Sequence, residues 1–212
     1  MRTDDLIRAM SADTTARQPV EAALPGAVLL IAALAGFVFL GEMGVRADLA
    51  SALGDPLVIV KQLFPVVLAL GAFWAVVRMS RPGSPVPAAA LLVMATVPVA
   101  LGFAAIYEAM ILPQEAWGMA FVGKSRVECL TYVVTMSLPI LAGSLWALRR
   151  GASLHPALSG ALAGLLSGGT AASVYALYCT EDSPFFYAVW YMAGILAVTA
   201  LGALLGSRLL RW

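Results

Sequence analysis

Long apolar stretches separated by short polar ones dominate the pattern along this chain. Six of them approach the roughly 20 mostly apolar residues that a helix needs to cross a bilayer. They lie at residues 24–41, 57–77, 86–107, 129–148, 157–178 and 185–206. The pattern therefore predicts an all-α integral membrane protein: a six-transmembrane-helix bundle at residues 24–212, preceded by a tail at residues 1–23.

The composition narrows the possible functions. Of the 212 residues, 61% are apolar and 12% are charged, whereas soluble domains average about 45–50% and about 25%. This composition excludes a soluble enzyme, a disordered chain and a nucleic-acid-binding domain. Because the stretches lack mid-span ionisable residues and recognisable catalytic motifs, we expect neither an enzyme nor an ion-coupled carrier. Lys61, the deepest charged residue, is expected to extend its ammonium outward to the membrane interface.

The basic residues predict the orientation, because lysine and arginine accumulate on the cytoplasmic side. With the N-terminus inside, the inner side carries nine basic residues: Arg2, Arg8, Arg17, Arg78, Arg81, Arg149, Arg150, Arg208 and Arg211. The outer side carries four: Arg46, Lys61, Lys124 and Arg126. The net charge of +1 hides this asymmetry. We therefore predict that both termini are cytoplasmic.

Small residues recur on one face of the fifth stretch. Gly160, Gly164 and Gly168 are spaced four residues apart, a spacing that lets helix backbones approach closely. We expect this face to pack against another helix of the same bundle. The alternative is a homodimer interface.

Two cysteines fall at the same predicted rim of the bundle. Cys129 begins the fourth stretch and Cys179 follows the fifth, so antiparallel neighbouring helices place both on the outer side. In an oxidising compartment, such a pair can form a disulfide or bind a soft metal ion. The absence of a CxxC motif disfavours a disulfide-exchange enzyme. A structural disulfide and two unrelated buried thiols remain alternatives.

Further potential ligands accompany the thiols in the sequence. Thioethers and carboxylates can join thiolates around a transient soft metal ion. The candidates are Glu128, Glu181, Asp182, Met110 and Met119.

The N-terminal tail contains a short amphipathic pattern. Thr3 can cap a helix of about ten residues, and the acidic Asp4 and Asp5 suit its positive end. An apolar stripe follows, formed by Leu6, Ile7 and Met10. Such a helix is marginally stable alone and orders against a partner surface. We expect that partner to be a cytoplasmic protein with a groove; the membrane surface is the alternative.

Several sequence segments, in this order, resemble one known family. They lie at residues 2–7, 123–129, 137–139, 146–151, 175–184 and 206–212. With the six stretches, they resemble the NrsF-type membrane proteins, which are negative regulators of an extracytoplasmic-function sigma factor. The chain departs from the family pattern at Tyr178, where histidine commonly precedes the cysteine. That departure favours redox sensing over metal sensing.

The resemblance implies a multi-pass anti-sigma factor in the bacterial inner membrane. Its N-terminal segment would bind the sigma factor through Arg2, Asp4, Asp5, Leu6, Ile7, Arg8 and Met10. Cys129 and Cys179 would respond to heavy metals or oxidants and cause release of the sigma factor. No enzymatic activity, resident cofactor or direct nucleic-acid contact is expected. The rival interpretation is a small inner-membrane carrier or a membrane thiol-redox protein.

Overall fold

The computed structural model describes residues 3–12, 19–81 and 83–211, and within these ranges the chain is helical without strands. The α-helices of this described part are α1 (Thr3–Ala12), α2 (Val20–Met43), α3 (Leu49–Ala52), α4 (Pro56–Met79), α5 (Ala88–Ile111), α6 (Trp117–Val122), α7 (Arg126–Leu148), α8 (Pro156–Ala176) and α9 (Pro184–Leu209). A 3-10 turn, Gln114–Ala116, precedes α6.

Six helices are long and apolar enough to cross a membrane, which confirms the predicted number and type of elements. They are α2, α4, α5, α7, α8 and α9. Most extend beyond the apolar stretches, because local backbone hydrogen bonding rather than hydropathy decides where a helix begins. At α4, for example, the Asp55 carboxylate accepts a hydrogen bond from the amide of Leu57 at 2.8 Å, and Pro56 occupies the first turn. The orientation of the termini remains a prediction.

Helix α8 lies at the centre of the bundle. It packs against α9, α4 and α7, while α2 packs on α7 and α5 packs on α4. The small side chains of α8 permit this arrangement, because a helix with several neighbours must let each backbone come close. The fold therefore places Cys179, which follows α8, near the axis of the bundle.

The glycine face of α8 packs against α9 within the same chain. A Cβ atom added to Gly164 would lie 2.7 Å from Cα of Thr199, and one added to Gly160 would lie 2.7 Å from Cα of Gly206. At Gly168 the corresponding distance to Cα of Ile195 is 3.0 Å. These separations leave no room for a side chain. Because α9 covers this face, it is not free to form a homodimer interface.

The two ends of the bundle are distinct. The end that we call the cysteine end comprises the loops at residues 44–55, 112–125 and 177–183. The opposite end, which we call the terminal end, comprises the beginning of α2, the loop at residues 149–155 and the end of α9. Since α2 has 24 residues and a helix rises about 1.5 Å per residue, the two ends are separated by roughly 36 Å.

Helix α6 covers part of the cysteine end. The indole of Trp190 donates a hydrogen bond to the carbonyl of Phe121 at 2.9 Å, and the rings of Phe121 and Phe185 stack. Gly123 ends α6 with a φ of +59°, a conformation that favours glycine. The loop between α5 and α7 is thus folded onto α9.

Candidate functional site

Both cysteines lie at the cysteine end as free, buried thiols. Cys129 lies in the first turn of α7 and is 0% exposed; Cys179 follows the end of α8 and is 2% exposed. Helices α7 and α8 pack against each other. The structure therefore brings the two predicted sensing residues together on adjacent helices.

Four charged side chains lie behind the backbone of Cys179, and we call them the charge cluster: Arg46, Asp48, Lys61 and Asp182. Asp182 accepts two hydrogen bonds from Arg46, at 2.6 and 2.8 Å, and one from the Lys61 ammonium at 2.7 Å. Arg46 also donates to both carboxylate oxygens of Asp48, at 2.8 and 2.9 Å. Two cations and two anions balance, so the cluster is neutral as a whole.

The position of Lys61 differs from the prediction that its ammonium extends outward. The side chain is 0% exposed. Its ammonium donates to the carbonyls of Cys179 and Glu181, at 2.6 and 3.2 Å, and to Asp182. A buried ammonium needs a counter-charge and full hydrogen bonding, because the free-energy cost of its desolvation is otherwise not compensated. Here the counter-charge lies 121 residues away in sequence, and no local pattern indicated it.

The ion pairs determine the protonation states of the two carboxylates. Burial raises the pKa of Asp182, but hydrogen bonds from Arg46 and Lys61 outweigh burial and hold that pKa below its ordinary value. The hydrogen bond from Arg46 lowers the pKa of the exposed Asp48 to about 2. Both pKa values are depressed, so the ion pairs persist at neutral pH and weaken only as the pH falls through the folded-state values.

The predicted metal ligands other than the thiols lie apart from them. Asp182 belongs to the charge cluster, and Glu181 accepts a hydrogen bond from the amide of Lys124 at 2.7 Å. Glu128 is exposed, as are Met110 and Met119. Among the residues that the structure describes, no three His, Cys, Asp or Glu side chains group as a metal site. The mixed thiol–carboxylate site is therefore not assembled, and the thiol pair is the remaining candidate for a soft ion.

Three buried hydroxyls near the thiols were missed by the sequence analysis. Ser125, Tyr175 and Tyr191 each bury a hydroxyl oxygen. Both tyrosines are 0% exposed, with ring centroids 5.5 Å apart, and both neighbour Cys179. The sequence held one signal, since Tyr175 precedes Cys179 by four residues, about one helical turn.

The N-terminal segment forms the predicted ten-residue helix, with Asp4 and Asp5 in its first turn. The side chains of Asp4, Asp5 and Arg8 are exposed, and Ile7 is 59% exposed. Arg2, the side chains of Leu6 and Met10, and residues 13–18 lie outside the part of the chain that the structure describes. Helix α1 thus presents at least one apolar side chain to the surroundings.

These observations define a class of protein: an all-helical chain with six helices able to cross a membrane and a pair of free thiols at one end. Comparison with known proteins makes this class specific. A family model described as the negative regulator of sigma F, NrsF, matches residues 9–212. The chain belongs to this family of anti-sigma factors. Family membership implies that its partner is a sigma factor.

Two relatives match over the full length of both chains. The anti-sigma-F factor NrsF of Caulobacter vibrioides is 38% identical over 217 residues. The probable anti-sigma-F factor NrsF of Azospira oryzae is 37% identical over 219 residues. No solved structure matches this chain.

Proposed function

We propose that this protein is a transmembrane anti-sigma factor that holds an extracytoplasmic-function sigma factor at the bacterial inner membrane. Helix α1 binds the sigma factor, and oxidation of Cys129 and Cys179, or binding of a thiophilic metal ion to them, releases it. The observation that carries this proposal is the pair of free, buried thiols at one end of the bundle. The tail leaves the bundle at the other end, where α2 begins.

The properties of α1 support its role in binding. A ten-residue helix gains little stability alone, and Ile7 is exposed on it. An apolar groove on a folded partner would bury this side chain together with Leu6 and Met10, as amphipathic helices do in grooves. The flanking charges of Arg2, Asp4, Asp5 and Arg8 would then select the partner.

Each of the two signals converts both thiols into a single product. A peroxide oxidises the two thiols to one disulfide: the sulfurs lose two electrons, their two protons pass to the peroxide oxygens, and water is the product. A divalent soft ion instead displaces both protons and bonds to two thiolates. Either product joins α7 to the segment after α8. The signal shifts the equilibrium only if this joined state binds the sigma factor less tightly.

Ile7→Asp is expected to reduce sigma-factor binding by roughly tenfold or more, because an apolar anchor at an interface centre contributes strongly. The protein would be co-expressed in turn with each extracytoplasmic-function sigma factor of the same genome. The measurement is the amount of sigma factor retained per solubilised protein. Ala12→Asp is the matched control, since it adds the same charge to an exposed position on the opposite side of α1. Equal retention by both variants would rule out α1 as the binding segment.

A further inference from the structure

The carbonyl oxygen of Cys179 is bound by two buried cations. It accepts hydrogen bonds from the Lys61 ammonium at 2.6 Å and from the Arg46 guanidinium at 3.3 Å. Both cations are in turn bound to Asp182, three residues further along the chain. The backbone that carries one sensing thiol is therefore fixed by charge-assisted hydrogen bonds, which are about twice as strong as neutral ones.

We propose that Arg46, Lys61 and Asp182 act as positioning residues that hold Cys179 in the resting state. Their hydrogen bonds weaken when the Cys179 thiol reacts. This inference rests on the proposed function and extends it, by naming the residues that transmit the state of the thiol to the rest of the bundle. We call these three residues the charge latch.

The charge latch joins three parts of the fold. Arg46 follows α2, Lys61 belongs to α4, and Asp182 lies between α8 and α9. The amide of Arg46 also donates to the carbonyl of Leu177 at 3.0 Å, which ties the end of α2 to the end of α8 by backbone. Because α2 runs to the terminal end, where α1 precedes it in sequence, the latch connects the cysteine end to the helix that leads to the tail.

The bond that forms at the Cys179 thiol acts against the hydrogen bonds of the charge latch. Cys129 lies on α7, which packs against α8, while the carbonyl of Cys179 is bound from α4 and from the loop after α2. A disulfide fixes the two Cβ atoms at about 3.8 Å, so the product constrains Cys179 through α7. Cys179 is then held by α7 through its side chain and by the charge latch through its carbonyl. The hydrogen bonds of the latch weaken in the joined state, and this supplies the difference in free energy between the two states that release of the sigma factor requires.

Weakening the charge latch should therefore mimic the signal. Asp182→Asn alone would leave the buried Lys61 ammonium without its counter-charge, so the test uses the double variant Lys61→Met, Asp182→Asn, in which Arg46 keeps its ion pair with Asp48. We expect it to retain at least about fivefold less sigma factor than wild type without any cadmium, within the range of measured coupling between sites. Added cadmium chloride should cause little further release. The measurement is sigma factor retained per solubilised protein, which corrects for the amount of anti-sigma factor.

The control is the double variant Lys124→Met, Glu115→Gln. It makes the same chemical changes at exposed positions of the cysteine end, and it should retain sigma factor and release it on cadmium treatment as wild type does. If Lys61→Met, Asp182→Asn behaves like this control, the latch proposal is wrong. If wild type releases sigma factor with neither cadmium chloride nor hydrogen peroxide, the proposed function is wrong and the latch proposal falls with it.

If the double variant fails to fold, a measurement on the wild type tests the latch proposal. Amide hydrogen exchange of the solubilised protein, followed by mass spectrometry, would be compared with and without cadmium chloride. We expect faster exchange at residues 44–48 and 177–183 with cadmium, because the hydrogen bond from Arg46 to Leu177 weakens when the latch opens. Unchanged or slower exchange in both segments, in a sample that responds to cadmium, would overturn the proposal.

Discussion

Replacing Gly164 by leucine is expected to prevent the folded bundle from accumulating in the membrane. A Cβ atom at this position would lie 2.7 Å from Cα of Thr199 and would collide with the carbonyl oxygen of Val198. Both obstacles are backbone atoms of α9, so no side-chain rotation can relieve the contact. The helices α8 and α9 must separate along their central contact, and we expect a loss of about 3 kcal/mol or more.

The measurement combines membrane abundance with thermal unfolding in detergent. Leucine is a good helix former, so helix propensity does not account for the expected loss. Gly102→Leu is the matched control, because Gly102 lies in α5 with no atom within 4 Å of an added Cβ. That variant should accumulate normally. Similar abundance and unfolding temperature for the two variants would show that the α8–α9 contact does not limit stability.

Replacing Cys179 by serine is expected to eliminate release of the sigma factor by cadmium or hydrogen peroxide. On treatment, the amount of sigma factor that wild type retains should fall roughly tenfold, and a change of this size is typical of coupling between two sites. Serine cannot form a disulfide and binds soft ions weakly, so neither product can form with Cys129. Cys129→Ser should fail in the same way, because both reactions need both thiols.

Abundance and a second substitution separate sensing from folding. Cys179 is 2% exposed, so a serine hydroxyl there needs a hydrogen-bond partner that a thiol does not. Cys179→Ala avoids this requirement and should likewise bind sigma factor without releasing it. A preserved response to either treatment in both Cys179 variants would contradict thiol sensing. Low abundance of both variants, with a normal response per molecule, would assign the cysteines a structural role.

Hydropathy along the sequence predicted the fold well, because a bilayer-crossing helix satisfies its backbone within one continuous segment. The number of long helices and the ten-residue α1 were correct. The placement of Cys129 and Cys179 at the same end of the bundle also followed from the sequence, since two consecutive antiparallel helices must return the chain to the same end. Sequence motifs further predicted the family, which the comparisons confirm.

The candidate site was predicted less completely, because its contacts join distant segments. Lys61 appeared to be a lone cation near an interface, yet it is buried against Asp182. Asp182 appeared to be a metal ligand, yet it forms ion pairs with Lys61 and Arg46. Both predictions rested on the residues that are adjacent in sequence. The position of a charged side chain inside a bundle depends instead on the partner that compensates its desolvation.

By itself the sequence determined which segments are helical, which end of the bundle holds the thiols and which helix has a face of small residues. Each of these properties depends on residues within one or two consecutive elements. Only the tertiary structure decided that α9 covers Gly164, that Asp182 pairs with Lys61, and that Tyr175 and Tyr191 bury their hydroxyls near Cys179. Those contacts depend on how helices are arranged around α8, and close packing and charge compensation between distant segments settle that arrangement.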